Sequence, residues 1–164
     1  MKALSERFAV GESLMADIER AFTERIRSSV PALRGGVRAG LEILAETGVP
    51  VDVVTEGADA LCASILRIHN LDHLISGIRS SKKSKEFFRG LISTSRLQYF
   101  VGDQLDVDIA LAHEAGFKTI YFPGAFMPEW TLGVADLSDF RVTSFREVPD
   151  IVLGIRPGRL ACCS

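Results

Sequence analysis

The sequence has little of three features that often reveal a function: cysteine, an excess of one charge, and long hydrophobic runs. Its 164 residues carry 19 basic and 21 acidic side chains, a formal net charge of −2. Because no basic stripe is present to neutralise phosphates, nucleic acid is not an expected partner. No apolar run approaches the roughly 20 residues that span a bilayer, and the amino terminus lacks a signal-peptide pattern. We therefore expect a cytoplasmic protein with no membrane partner.

The three cysteines do not form the pattern of a metal site or of a disulfide framework. Cys62 falls in a helical pattern and is expected to be a small buried apolar side chain, whereas Cys162 and Cys163 are adjacent near the carboxyl terminus. They have neither CxxC spacing nor the paired histidines of a zinc site. A chain of this length is sufficient for one domain with its own core.

What the sequence does contain is a regular alternation of strand-like and helix-like segments from Pro31 onward. Short β-branched or aromatic runs predict strands, and segments with apolar residues three and four apart predict helices between them. The predicted strands are 49–55, 74–78, 96–102, 118–122 and 140–144, and the predicted helices are 31–48, 58–70, 84–94, 106–116 and 145–154. This order favours an α/β fold of three layers, with a Rossmann-like parallel sheet covered by helices on both faces.

The same pattern divides the chain into three parts. We predict an α/β core at 31–155, preceded by a segment at 1–30 and followed by a tail at 156–164. Within 1–30, apolar residues repeat every four positions between 14 and 26, which predicts an amphipathic helix there.

Two of the predicted strands end in a polar side chain beside a glycine. Thr55-Glu56-Gly57 follows one strand, and Gly102-Asp103 ends another, with Asp108 five residues after Asp103. Ligands of parallel α/β sheets bind where strands end and helices begin. The sequence therefore predicts a binding site at this edge of the sheet.

Three segments resemble motifs of the haloacid dehalogenase (HAD) superfamily, whose members are mostly magnesium-dependent phosphatases. They are GVRAGLEILAETGVPVDVVTEG (36–57), KKSKEFFRGLI (82–92) and VGDQLDVDIALAHEAGFKTIYFPG (101–124). The last predicted strand and helix also resemble the end of that fold. The resemblance implies a HAD-like core in which the cap of the family is reduced or absent.

The resemblance also implies two residues that bind the phosphate of a small phosphorylated molecule. Thr55 would donate a hydrogen bond to a phosphate oxygen, and Lys83, with Lys82 and Lys85 as alternatives, would neutralise its charge. Phosphoryl transfer depends mostly on positioning and on charge stabilisation of this kind.

Asp103 and Asp108 are the carboxylates that the resemblance assigns to Mg2+, a hard cation that prefers oxygen ligands. Asp103 would reach the metal directly, and Asp108 would hold a metal-bound water or orient Asp103. Considered alone, Asp103 and Asp106 could instead cap the positive end of the following helix.

Members of this family carry an aspartate nucleophile in an Asp-x-Asp pattern after the first strand, and this sequence has none there. Asp17-Ile18-Glu19 has the spacing but lies in the predicted amphipathic helix. The other candidate is RFAVGESL (7–14), where a short strand at 8–10 would leave Gly11 and Ser13 in the place of the carboxylates. Gly11 has no side chain, and no base that would activate Ser13 is identified.

Two functions follow from this combination. The first is a degenerate or incomplete HAD-like domain that binds a ligand or a partner; the alternative is a magnesium-dependent phosphatase whose nucleophile comes from missing upstream sequence or a partner chain. Glu56 favours the first, because its carboxylate would repel an anionic substrate. Unless 7–10 fills the place of a first strand, we expect a gap between 49–55 and 96–102, and hence a homodimer or a disturbed sheet.

Overall fold

The computed structural model describes residues 32–94, 99–124 and 133–155, together with scattered positions between 14 and 30. Its strands are β1 (Asp52–Thr55), β2 (Gly77–Ser80), β3 (Tyr99–Gly102), β4 (Lys118–Tyr121) and β5 (Phe140–Arg141). Its helices are α1 (Val37–Glu46), α2 (Asp59–Ile68), α3 (Lys85–Thr94), α4 (Leu111–Ala115) and α5 (Val148–Val152). Single 3₁₀ turns lie at Asp72–Leu74 and Phe145–Glu147, and a π-helical turn lies at Leu105–Ala110.

Helices cover both faces of the strands. Tyr99 and Val101 of β3 pack against a cluster that contains Leu44 of α1 and residues of α5. Phe100, between them, packs instead against a cluster that contains Phe88 of α3 and residues of α4. Successive residues of a strand point to opposite faces, so the two clusters lie on opposite sides of β3. The predicted three-layer α/β arrangement with parallel strands is confirmed.

The strands that the structure describes form two parallel groups rather than one sheet. β1 pairs with β2, with Asp52 opposite Gly77 and Thr55 opposite Ser80. In the second group β3 pairs with β4, which pairs with β5. Between β1 and β3 lies a mostly apolar cavity of about 950 Å³, lined by residues 51–54 on one side and 99–103 on the other. Within the described residues, no strand pairs β1 with β3.

The order of the strands reverses at this cavity. From β1 the chain moves outward to β2, and from β3 it moves outward in the other direction to β4 and β5. In open α/β sheets, ligands bind at such a reversal, outside the carboxyl ends of the strands. The topology therefore places the candidate site at the carboxyl ends of β1 and β3.

Two predicted elements begin later than the sequence pattern indicates. The helix predicted from Pro31 begins at Val37, because Gly36 adopts a positive φ of 78° and a Cβ there would collide with Ser144 and Arg146. The strand predicted at 74–78 is β2 at Gly77–Ser80, because the preceding residues form a 3₁₀ turn. Ser76 begins the pairing, since its N–H donates to the carbonyl of Val51 at 2.8 Å.

Cys62 is half-buried rather than buried, which corrects the sequence prediction. It lies on α2, a helix without a buried residue. Burial, with a smaller effect of the Asp59 charge, raises the pKa of the Cys62 thiol. Cys162 and Cys163 lie outside the described residues.

The described positions between 14 and 28 are helical and exposed. Asp17 is one of these helical positions, and Arg20 forms an ion pair with it. No helix within the described ranges is long and apolar enough to cross a membrane.

Phe88 offers a test of the core on the α3 side. Its side chain is fully buried and contacts Phe100 edge to face, with ring centroids 4.9 Å apart. Phe88→Ala is expected to lower the free energy of unfolding, measured in urea, by about 3–5 kcal/mol, because it removes buried surface and leaves a cavity. Phe87→Ala, at a half-buried neighbour, is the matched control and should cost less; equal losses would contradict this packing.

Candidate active site

The loops that follow β1 and β2 are joined by hydrogen bonds at the carboxyl edge of the strands. The N–H of Ser81 donates to the carbonyl of Thr55 at 3.0 Å, and the hydroxyl of Ser80 donates to the carbonyl of Gly57 at 2.7 Å. The side chain of Glu56 accepts a 2.7 Å hydrogen bond from the backbone N–H of Lys83. These bonds fix the position of the backbone at Lys83 relative to the end of β1.

A buried ion pair connects this loop to the region after β3. The Nζ of Lys83 lies 2.5 Å from Oδ1 of Asp108, and the two side chains are only 15% and 4% exposed. Taking both charges out of water is costly unless good geometry and further hydrogen bonds compensate. The other carboxylate oxygen of Asp108 supplies them, because it accepts from the backbone N–H groups of Asp103 at 3.1 Å and Gln104 at 3.2 Å.

The π-helical turn sets the direction of the Asp108 side chain. The N–H groups of Asp108 and Ile109 both donate to the carbonyl of Gln104 at 3.0 Å. A π turn accommodates an extra residue in a helix and is frequent at functional sites. Here it allows Asp108 to turn back toward the loop at Asp103 and Gln104. The capping interpretation of the sequence therefore applies to Asp108, which binds N–H groups at the start of this helix, and not to Asp103 or Asp106.

Gly102 is needed for this arrangement. A Cβ at this position would collide with the side chain of Asp108. The Gly-Asp pair at the end of β3 therefore has a steric reason, since only glycine lets the Asp108 carboxylate approach the strand end.

Asp103 is half-exposed and lines the polar end of the cavity. Partial burial, followed by the negative charge of Asp108, raises the pKa of the Asp103 carboxyl above its usual range, and the nearby Arg34 opposes the shift. The guanidinium of Arg34 lies 3.9 Å from the Asp103 carboxylate. Two carboxylates and two cations, Lys83 and Arg34, thus face the same region.

Arg34 is a site residue that the sequence patterns did not predict. It lies over the ring of Phe122 at 3.6 Å and donates to the carbonyls of Phe122 and Pro123. In the sequence, Arg34 is a single charged residue directly before Gly35-Gly36, near the start of a predicted helix. Nothing in that local pattern indicates a contact with residues almost 90 positions away.

The other predicted site residues are placed differently. Thr55 accepts a hydrogen bond from the N–H of Gly57 at 3.0 Å and is not among the residues that line the cavity. Lys85 forms a 2.5 Å ion pair with Glu114 on the surface, and Lys82 is exposed. Among the three lysines, Lys83 is the one that the structure brings to Asp108. Glu56 does not point a free carboxylate at the site, because it binds the backbone of Lys83.

The donor set at this site does not by itself fit a magnesium ion. Within the described residues, no group of three or more His, Cys, Asp and Glu side chains is placed to hold a metal. Both oxygens of Asp108 are engaged, one by Lys83 and one by two backbone N–H groups. Asp103 alone remains, and Mg2+ needs near-ideal octahedral coordination by oxygen. A metal here would require Lys83 to move or a further carboxylate to arrive.

Similar folds are found among solved structures. One is a predicted phosphoglycolate phosphatase from Haemophilus somnus 129pt. The match covers 87% of this chain and 68% of the phosphatase chain, with a TM-score of 0.69 and 23% sequence identity. Another is L-2-haloacid dehalogenase from Xanthobacter autotrophicus with chloropropionic acid covalently bound. The match covers 94% of this chain and 74% of the dehalogenase chain, with a TM-score of 0.60 and 17% sequence identity. A third is a HAD-superfamily hydrolase from Ehrlichia chaffeensis. The match covers 76% of this chain and 59% of the hydrolase chain, with a TM-score of 0.56 and 20% sequence identity.

These likenesses define the fold: the chain has a HAD-like α/β fold. It spans 59 to 74% of the lengths of these three proteins. No protein-family model matches the sequence, and no curated protein matches it.

The buried ion pair gives a double-mutant prediction. Lys83→Met or Asp108→Asn alone is expected to lower the free energy of unfolding by about 3–5 kcal/mol, because each leaves an uncompensated buried group. The double variant should cost clearly less than the sum of the two. The control is the exposed pair Lys85–Glu114, where the same cycle should give a coupling below about 1 kcal/mol. Additive losses at Lys83 and Asp108, measured in urea, would contradict the pair.

The raised pKa of Asp103 gives a prediction about pH. A carboxyl with a raised folded pKa makes the folded chain bind its proton more tightly, so the stability falls as pH rises through that pKa. Asp103→Asn removes this loss and is expected to raise the free energy of unfolding at neutral pH. This gain in the free energy of unfolding should disappear in acid, below the pKa that the Asp103 carboxyl has in the unfolded chain. Urea unfolding at several pH values measures it, with the exposed Asp72→Asn as control; a gain independent of pH would contradict the assignment.

Proposed function

We propose that this chain is a HAD-like domain that binds a small phosphorylated molecule without hydrolysing it. The proposal rests on one observation: the buried carboxylate of the site, Asp108, is already neutralised by Lys83. Asp108 is engaged by Lys83 and by two N–H groups. Asp103 is half-exposed, and its carboxylate lies 3.9 Å from the guanidinium of Arg34.

Several donors at the carboxyl edge support binding of an anion. The Lys83 ammonium has three N–H donors, and its bond to Asp108 uses one. The Thr55 oxygen accepts from Gly57, which leaves the hydroxyl hydrogen as a donor. Arg34 adds a second cation. A phosphate group offers several acceptor oxygens to such a set, and charge-assisted hydrogen bonds are the strong ones.

Binding is tested with inorganic phosphate, by titration with the amide resonances of the protein observed by NMR. The expected result is saturable shifts for residues 55–57 and 81–83. Lys83→Met should weaken binding at least roughly tenfold, since a hydrogen bond to a charged group contributes about 1.5–3 kcal/mol. Lys82→Met, which removes an exposed neighbouring lysine, is the matched control and should leave binding unchanged. If Lys83→Met does not fold, Thr55→Val provides the second test; unchanged binding in the folded variant, or no saturable shift in the wild type, would refute the proposal.

The alternative is a magnesium-dependent phosphoric ester hydrolase whose nucleophile comes from upstream sequence or from a partner chain. The cavity between β1 and β3 favours it, because Asp103 is one of the residues that line it. An arriving carboxylate would also supply the ligand that the described residues lack for Mg2+.

Hydrolysis of a generic aryl phosphate by the purified chain, with magnesium and with chelator, distinguishes the two functions. We expect no turnover above that of Asp103→Asn. Magnesium-dependent turnover that disappears in Asp103→Asn would instead establish the hydrolase and overturn the binding function.

A further inference from the structure

Arg34 is held in place by contacts on the face of its guanidinium and along one edge of it. The central carbon of the guanidinium lies 3.6 Å from the centroid of the Phe122 ring, and the face of an aromatic ring attracts a cation. One terminal nitrogen, Nη2, donates to the carbonyls of Phe122 at 3.1 Å and of Pro123. The other, Nη1, lies 3.9 Å from a carboxylate oxygen of Asp103. Two carbonyl oxygens and one carboxylate oxygen therefore lie around this cation.

The backbone brings these oxygens and the guanidinium together. The N–H of Phe122 donates to the carbonyl of Gly102 at 2.9 Å, which joins the end of β4 to the residue before Asp103. The carbonyl of Gly35 accepts at 2.9 Å from a backbone N–H of the 3₁₀ turn after β5, so the residue after Arg34 is anchored as well. A side chain that is already fixed loses little conformational freedom when a ligand binds. Arg34 is therefore preorganised for a contact at the end of β3.

The arrangement resembles a cation site that already contains its cation. Carboxylate and carbonyl oxygens are the ligands that a hard divalent cation prefers, and these are the groups around Arg34. The two aspartates at the end of β3 each have a basic partner, since Asp108 pairs with Lys83 at 2.5 Å and Asp103 faces Arg34 at 3.9 Å. The charges of these four side chains therefore balance without an added metal ion.

We propose, building on the function proposed above, that Arg34 is the resident cation of this site: it takes the place of a divalent metal ion beside Asp103, and the chain binds phosphate without magnesium. A guanidinium has five N–H donors in a fixed plane, and the bonds to the two carbonyls use two of them. Among the described residues, none accepts a hydrogen bond from Nε or Nη1 of Arg34. These nitrogens are the donors for a phosphate oxygen, which arginine binds through charge-assisted hydrogen bonds.

The magnesium dependence of phosphate binding tests the proposal in the full wild-type chain. Inorganic phosphate is titrated with excess magnesium and, separately, with chelator, and the amide resonances of 55–57, 81–83 and 102–104 are followed by NMR. We expect dissociation constants that agree within about twofold. Binding that requires magnesium would overturn the resident cation and leave the proposed function standing, whereas no binding under either condition would refute the proposed function itself.

Arg34→Gln removes the charge but keeps an N–H donor for the two carbonyls after β4. With chelator, this variant is expected to bind phosphate at least roughly tenfold more weakly than the wild type, because the charge-assisted bonds are lost. Magnesium should recover part of this loss, because the freed Asp103 carboxylate and the phosphate together offer oxygen ligands to a metal ion. If Arg34 only holds the backbone, magnesium will not reduce the loss, and that result would overturn the proposal.

Arg38→Gln is the matched control. Arg38 also donates to two backbone carbonyls, those of His69 and Asn70, but it does not line the cavity. Its replacement should leave the affinity for phosphate unchanged with magnesium and with chelator. An equal loss of affinity in Arg38→Gln and Arg34→Gln would contradict a specific role for Arg34.

Manganese, a paramagnetic divalent cation, tests the site without phosphate and without a substitution. We expect it to broaden the amide resonances of 102–104 no more than those of 71–73, around the exposed Asp72. Selective and saturable broadening at 102–104 in the wild type would show that a metal ion enters beside Asp103, and it would overturn the proposal whether or not phosphate binds.

Discussion

The ion pair between Lys83 and Asp108 is the interaction on which the rest of the site depends. It joins the loop after β2 to the helix after β3, across 25 residues of sequence. Asp108 also holds the backbone at Asp103 and Gln104, and Glu56 holds the backbone at Lys83. Since the described strands fall into two groups, this chain of bonds is a direct polar link between the carboxyl ends of β1 and β3.

The pair also explains why the site differs from an open metal centre. A carboxylate that balances a buried ammonium cannot offer the same oxygen to a divalent cation without losing that compensation. The π-helical turn and Gly102 both serve to bring Asp108 into this position. The conformation therefore places Asp108 as the counter-ion of Lys83.

The HAD-like fold was predictable because its evidence is local and repeated. Alternating strand and helix patterns predicted the parallel layers, and Gly-Asp followed by Asp108 indicated the carboxyl edge of β3. Less was predictable about the partners of each charge. The sequence suggested that Glu56 repels a ligand, but the fold places it on the N–H of Lys83. Arg34 gave no signal, because its contacts with Asp103 and Phe122 join segments distant in sequence.

The sequence by itself determined the class of fold and the edge of the sheet where the polar residues gather. These follow from hydrophobic periodicity and from the glycines and acids at strand ends, which act over a few residues. Only the tertiary structure decided which of three lysines meets Asp108, that Asp103 has a raised pKa, and that β1 and β3 border a common cavity. These depend on burial and on distances between residues far apart in the chain, which local patterns do not contain.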